Sequence, residues 1–191
     1  MRLALFDFDG TLTKSDSFMA FLRHSSTKSG FYINAIKFLP HLLLWKSGFI
    51  DNSEAKRRLV GLFFYGISRS EFEKIALSFS AHIDSLIDPS RLKLLLDHKE
   101  RGDRVVIVSA SIECYLLPWC KQNGIELLCT KLAFDDDIFK GEFATPNCYG
   151  EQKASRIKSY LNLAKYNEIY AYGDSAGDDQ MLALSNHPTK F

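Results

Sequence analysis

Leu5-Phe6-Asp7-Phe8-Asp9-Gly10-Thr11-Leu12-Thr13 follows an apolar run that begins at Leu3. Residues 3–6 are apolar on both alternating faces, the pattern of a strand buried in a parallel sheet. This strand ends in two carboxylates, Asp7 and Asp9, followed by Gly10 and Thr11. Crowding carboxylates at the end of a buried strand is costly unless a cation meets them. An oxygen-seeking divalent ion is the natural partner, and Asp7 is then oriented to attack a phosphorus atom.

Two further segments share the character of residues 3–6. Arg104 to Val108 and Glu168 to Tyr172 are apolar runs that also lead into polar, small-residue turns. Helix signals lie between them. Asp88 and Pro89 open a helix that Gly102 stops, and Ser111 is placed to cap another that runs to Gln122 and closes at Gly124, with Pro118 expected to kink it or to mark a shorter first segment. Strands alternating with helices predict an α/β fold with a doubly wound, mostly parallel sheet. Residues 14–85 carry helix signals only. Asp51 with Glu54, and Ser68 with Glu71, have the spacing of a capping box, and Phe72, Ile75, Ala76, Phe79 and Ile83 follow at helical intervals. The expected organisation is therefore a core of residues 1–13 plus 86–191, with an all-helical cap of residues 14–85 inserted after the first strand. Lys131 to Phe143, turning at Asp135 to Asp137, reads as a small β-hairpin.

The bulk numbers narrow the function classes. At 191 residues, with 46% hydrophobic and 25% charged residues, the chain has an ordinary globular composition. A formal charge of +1 argues against a dedicated nucleic-acid partner. Cys114, Cys120, Cys129 and Cys148 have no zinc-ligand spacing and are read as reduced thiols of a cytoplasmic protein. His24, His41, His82, His98 and His187 also lack ligand spacing and are expected on the surface or in the cap. Lys37, Pro40, His41 and Lys46 interrupt the apolar stretch 31–50, so it is not read as membrane-spanning. Residues 14–50 nevertheless hold five basic residues against Asp16 alone. They are read first as a lid that buries Phe18, Phe21, Leu22, Ile36 and Leu43. The sharper reading is a lid making peripheral contact with an anionic membrane.

The unusual residues fall where a doubly wound sheet binds ligands, at the carboxyl ends of its strands. Each type suits phosphoryl transfer. Attack by one anion on another requires charge cancellation, which a metal and an ammonium can supply. Asp7 and Asp174 are candidate Mg²⁺ ligands, and Lys153 a mobile positive charge for phosphate and nucleophile. The Ser109 hydroxyl, with the backbone N–H of Ala110 beside it, is a candidate for the phosphate oxygens. Asp9 is two residues from Asp7 and so on the same side of an extended strand, suited to protonate a leaving alkoxide.

Together, residues 7–12, Val106 to Ser109, Lys153 and Gly173 to Asp178 resemble the four motifs of the haloacid dehalogenase superfamily of phosphatases. The helical insert and Asn147 to Lys153 are similar to its phosphoserine-phosphatase-like branch. That resemblance implies Asp7 as nucleophile, and Asp9 as acid/base through its side chain and metal ligand through its carbonyl. It further implies Asp174 as metal ligand and Asp178 as an acid steadying Lys153 or the metal's water. The basic, apolar segment 21–49 is similar in character to bacterial enzymes that dephosphorylate phosphatidylglycerophosphate.

The expected activity is Mg²⁺-dependent phosphomonoester hydrolysis through an aspartyl-phosphate on Asp7. The substrate stays open between a small phosphorylated metabolite and a lipid headgroup phosphate. Alternatives are a phosphomutase of the same superfamily and a catalytically silent membrane- or protein-binding module. A haloalkanoate dehalogenase would need no acid at Asp9, and a receiver domain would have no use for a cap of some seventy residues. Arg57, Arg58 and Glu54 are candidates for a pocket that reads an amino-acid leaving group. The ending, Asn186 to Phe191, is expected to supply a short last strand.

Overall fold

The computed structural model describes residues 1–191. Five parallel strands, β1 (Arg2–Phe6), β2 (Arg104–Ile112), β3 (Glu126–Thr130), β6 (Glu168–Gly173) and β7 (His187–Lys190), form a sheet ordered β3-β2-β1-β6-β7. β4 (Leu132–Asp135) and β5 (Ile138–Phe143) make a separate antiparallel hairpin. The chain winds outward from β1 to β2 and β3, then returns to the opposite side of β1 for β6 and β7. Connections leaving β1 and β6 therefore diverge, and a crevice opens between the carboxyl ends of these two strands. Asp7 and Asp174 are the residues that follow them.

Strand alternation divides the core into two layers. Leu3 and Leu5 point to one face, with Val106, Val108, Ile157 and Ile169. Ala4 and Phe6 point to the other, with Ile107, Leu95 and Leu116. Helices α6 (Pro89–Glu100) and α7 (Glu113–Gln122) cover the second face, and α8 (Glu151–Tyr160) and α9 (Asp179–Leu182) the first. The sheet is doubly wound, with a five-stranded parallel core. β7 is the short last strand, and Phe191 stacks on Tyr172 beyond it.

Between β1 and α6 the chain forms α1 (Ser17–His24), α2 (Lys28–Lys46), α3 (Asn52–Phe64), α4 (Arg69–Ser80) and the short α5 (Ile83–Leu86). An antiparallel bridge between Thr13 and Ile87 draws the two ends of this insertion together. Phe21 is the aromatic hub, packing against Phe64, Phe72, Phe79 and Tyr115. Phe18, Phe21 and Leu22 are buried as the sequence predicts, but Ile36 and Leu43 are exposed. Apolar residues run all round α2, and only one of its sides meets the protein.

Two other expectations change. Ser111 does not cap α7; Ile112 precedes that helix, and the Ser111 side chain goes elsewhere. Pro118 sits inside α7 without ending it. His98 is not a surface residue: it is fully buried, Nδ1 donating to Asp103 at 2.8 Å and Nε2 accepting from the Tyr172 hydroxyl at 2.8 Å. Burial lowers its pKa, so the imidazole is neutral in the fold. Asp103 also takes an ion pair from Arg2 at 2.7 Å.

His98→Ala should destabilise the protein by roughly 2–4 kcal/mol in urea unfolding at pH 7.5, by opening a cavity and orphaning Tyr172 and Asp103. Below the ordinary histidine value of 6.5, the unfolded chain takes up a proton that the native site refuses, so wild-type stability falls with pH in that range. The variant should lose that component. A change within about 0.5 kcal/mol at pH 7.5 would show that the network contributes little.

Candidate active site

Lys153 lies at the floor of the crevice. It enters on the first turn of α8, whose inward face also carries Ala154 and Ile157, and that packing draws the lysine under the sheet's edge. Its ammonium donates to Asp7 Oδ1 at 2.5 Å and to Asp178 Oδ1 at 2.6 Å, and it is 2% exposed. Burial works against its charge, but Asp7 and Asp178 together outweigh that and hold its pKa above the ordinary lysine range. Asp7 is fixed from behind by its own N–H, which donates to the Tyr172 carbonyl at 2.9 Å. Burial pushes the Asp7 carboxyl up to about 7, against the pull of Lys153.

Asp178 is the most heavily bonded acid. Its second oxygen accepts from the N–H groups of Asp174 and Ser175 and from the Ser175 hydroxyl, at 2.9–3.2 Å. Lys153 and these donors hold its pKa low in spite of its burial. A Cβ on Gly173 would come within 2.5 Å of Asp178, so only glycine lets the two segments approach this closely. Partly exposed Asp174 completes the group: Asp7, Asp174 and Asp178 each present an oxygen, all within 4.8 Å of one another. Burial, then the neighbouring Asp178, raises Asp174.

Asp9 stands apart from these three. Its Oδ1 accepts the Ser17 N–H at the start of α1 at 2.6 Å, and its Oδ2 accepts the Ser111 hydroxyl at 2.5 Å. The Ser17 hydroxyl touches both Ser111 Oγ and the Tyr115 hydroxyl at 3.3 Å. Burial and then Asp16 raise the Asp9 pKa; the serine bonds oppose that rise. Sequence reasoning missed Ser17, Ser111 and Tyr115. Ser111 carried a signal, a polar residue two positions past Ser109, but it was assigned to a helix cap.

Ser109 is fully buried, its hydroxyl accepting the Ser111 N–H at 2.9 Å. The β2–β3 ladder is irregular between Ser109 and Ile112, which breaks the strict alternation of side chains at the strand end. Ala110, not Ser109, reaches the open space. Thr11 is buried, and its hydroxyl is the one buried side-chain oxygen or nitrogen without a partner.

A cavity of about 580 Å³ rises from Asp7, Lys153 and Asp174 to the cap helices. Lys56, on α3, is a further residue that the sequence did not single out. Its ammonium donates to the Ala110 carbonyl and sits 4.5 Å over the Phe18 ring. Burial pushes its pKa down to about 8. Arg57, Arg58 and Glu54 do not converge on the cavity. Both arginines pair with Glu54, and Arg57 also pairs with Glu142, on the outer side of α3. Glu54 is held down to about 2, chiefly by Arg57, and does not complete a capping box with Asp51.

The model of the haloacid dehalogenase-like hydrolase family matches residues 4–183. Protein CicA of Caulobacter vibrioides is 30% identical over 189 residues, covering 96% of this chain and 83% of its own. A histidinol-phosphatase of Neisseria meningitidis serogroup C is 27% identical over 203 residues, covering 98% and 88%. A phosphoserine phosphohydrolase-like protein from Francisella tularensis shares the fold at TM-score 0.70 and 19% identity, covering 98% of this chain and 84% of that one. A match across both the core strands and the helical insertion fixes the assignment: the chain belongs to the haloacid dehalogenase-like hydrolase family.

Proposed function

We propose that the protein is a cytoplasmic, Mg²⁺-dependent phosphomonoester hydrolase working through an aspartyl-phosphate on Asp7, with residues 14–85 as its cap. One observation carries the reading: a buried ammonium bridges Asp7 and Asp178 at the bottom of a cavity, with a third carboxylate, Asp174, in reach. Three acids share one cation, so negative charge is in excess there. An all-oxygen donor set of this kind fits Mg²⁺. The fit is tight, because a Cβ on Gly10 would lie 2.3 Å from the Asp174 carboxylate, and Gly10 has φ +79°. Asp7 and Asp174 would hold the ion, with the Asp9 carbonyl. When bound, it supplies charge neutralisation for two approaching anions.

The chain's own residues account for the chemistry. Lys153 draws the phosphate toward Asp7, with the Ser109 and Ala110 strand end as the candidate cradle. An Asp7 oxygen forms a bond to phosphorus while the ester P–O bond breaks. Asp9, its pKa raised by burial, gives its proton to the departing oxygen. Asp9 then takes a proton from water, whose oxygen attacks phosphorus. The bond to Asp7 breaks and inorganic phosphate leaves. Asp178 keeps Lys153 oriented throughout.

The outer side of α2 supports peripheral contact with an anionic bilayer. It exposes Ile33, Ile36 and Leu43 beside Lys28, Lys37 and Lys46, and α2 contains no acid. No helix is long and apolar enough to cross a membrane.

Hydrolysis of p-nitrophenyl phosphate should require Mg²⁺, stop with EDTA and vanish in Asp7→Asn. Asp9→Asn should lose about 10²–10⁴-fold in kcat. Near-native kinetics in Asp9→Asn would remove the acid/base assignment. Gly10→Ala should raise the Mg²⁺ needed for half-activation by about tenfold or more, through the clash with Asp174 and the strained φ; an unchanged activation curve would count against a metal at Asp174. Co-sedimentation with phosphatidylglycerol vesicles should weaken about fivefold for each of Lys37→Gln and Lys46→Gln, at about 1 kcal/mol per lysine. Equal binding to neutral vesicles would refute the preference for an anionic surface, and no binding to either would refute the membrane contact.

A further inference from the structure

We infer that the ester hydrolysed here has an apolar leaving group, an alkyl or aryl tail that sits between α1, α2 and α3; the inference rests on the hydrolase reading above. The cavity has two chemically distinct ends. Its floor holds Asp7, Lys153, Asp174 and Asp178. Its upper chamber is walled by Leu22, Phe31, Phe38, Leu42, Leu59 and Phe63. One stripe of α2, at helical spacing from Phe31 through Ala35, Phe38 and Leu42 to Trp45, faces inward and contains no polar side chain.

The cap lends this lining only two charged side chains, and each already holds a bond within the protein at the lower end of the chamber. Asp16 accepts the Met19 N–H at the start of α1, and Lys56 is tied to the Ala110 carbonyl at the throat. The arginines that could read a carboxylate do not line the cavity: both pair with Glu54, and Arg58 also meets His41 of α2 at 3.1 Å. The neutral polar residues of the lining, Asn52, Asn147, Tyr149 and Ser175, belong to its lower part, and Asn52 accepts from Asn147 at 2.8 Å. An amino-acid or sugar leaving group that reached the upper chamber would thus exchange water for hydrocarbon and aromatic walls. A hydrocarbon tail gains from the same walls, at up to about fourfold per methylene buried. The volume of about 580 Å³ leaves room for a tail beyond the phosphate.

The test measures kcat/KM with Mg²⁺ for monoalkyl phosphates from ethyl to octyl, alongside O-phosphoserine and p-nitrophenyl phosphate. Calorimetry on the matching alkylphosphonates reads the chamber without requiring turnover. Octyl phosphate should exceed ethyl phosphate by at least about tenfold, and octylphosphonate should bind more tightly than ethylphosphonate in the same ratio. O-phosphoserine should be no better than ethyl phosphate. A series flat in chain length, or phosphoserine ahead of octyl phosphate, overturns the inference. If p-nitrophenyl phosphate is not hydrolysed at all, the hydrolase reading fails, and the phosphonate series still judges the chamber.

Leu42→Asp and Ala35→Trp, each checked for folding by circular dichroism, should flatten the chain-length dependence; a wild-type slope in every folded variant also overturns the inference. Octyl phosphate free in solution and a long-chain monoalkyl phosphate in phosphatidylcholine vesicles form the two source arms. Preference for either one supports an apolar tail and names its origin; turnover of neither, with p-nitrophenyl phosphate still cleaved, overturns it.

Discussion

The ammonium of Lys153, held between Asp7 and Asp178 with almost no solvent, is the constraint around which the rest is arranged. A buried ion pair of this kind contributes little to stability against an apolar alternative, because desolvation offsets most of the attraction. Its value is positional. It brings together the end of β1, the first turn of α8 and the loop after β6, segments some 146 residues apart in the chain. Burial, and after it the repulsion of Asp178 and Asp9, outweighs the single ammonium, and Asp7 rises to about 7 instead of falling as a simply salt-bridged acid would; with one cation for three acids, the arrangement remains short of positive charge.

That shortage gives the acids separate tasks. Asp178 has the most donors and the lowest pKa of the group, so it serves as the fixed anion that orients Lys153. Asp7 and Asp174 are left less well compensated, the condition for recruiting a further cation. Asp9 faces another direction and bonds to hydroxyl and amide donors instead of to a charge. Four carboxylates within one crevice thus differ by environment alone.

Much of the core could be read from the sequence because buried parallel strands leave an uninterrupted apolar signature, and because carboxylates directly after such strands have few structural uses. The same logic located Asp7, Asp9 and Asp174. Residues that act through distant contacts left no such trace. Ser17 and Ser111 are 94 positions apart and meet only in the fold. Lys56 reads as an ordinary helix lysine, and its burial depends on the cap's closing over Ala110. His98 stands next to Lys99 in an unremarkable helix, and its partner Tyr172 lies 74 residues away. For α2, apolar residues on every side meant that periodicity could not tell Phe38, which lines the cavity, from Ile36, which faces solvent.

Asp9 takes one of its two protein hydrogen bonds from Ser17, the first residue of the first cap helix. Cap position and acid strength are therefore mechanically linked. Removing the Ser17 donor alone would raise the proton affinity of the Asp9 carboxylate, and admitting water would lower it; burial is the larger of the two influences in this fold, so exposure of the site would make Asp9 the stronger acid. The contact that seats the first helix of the insertion is thus also one of those that set the charge of the acid beneath it.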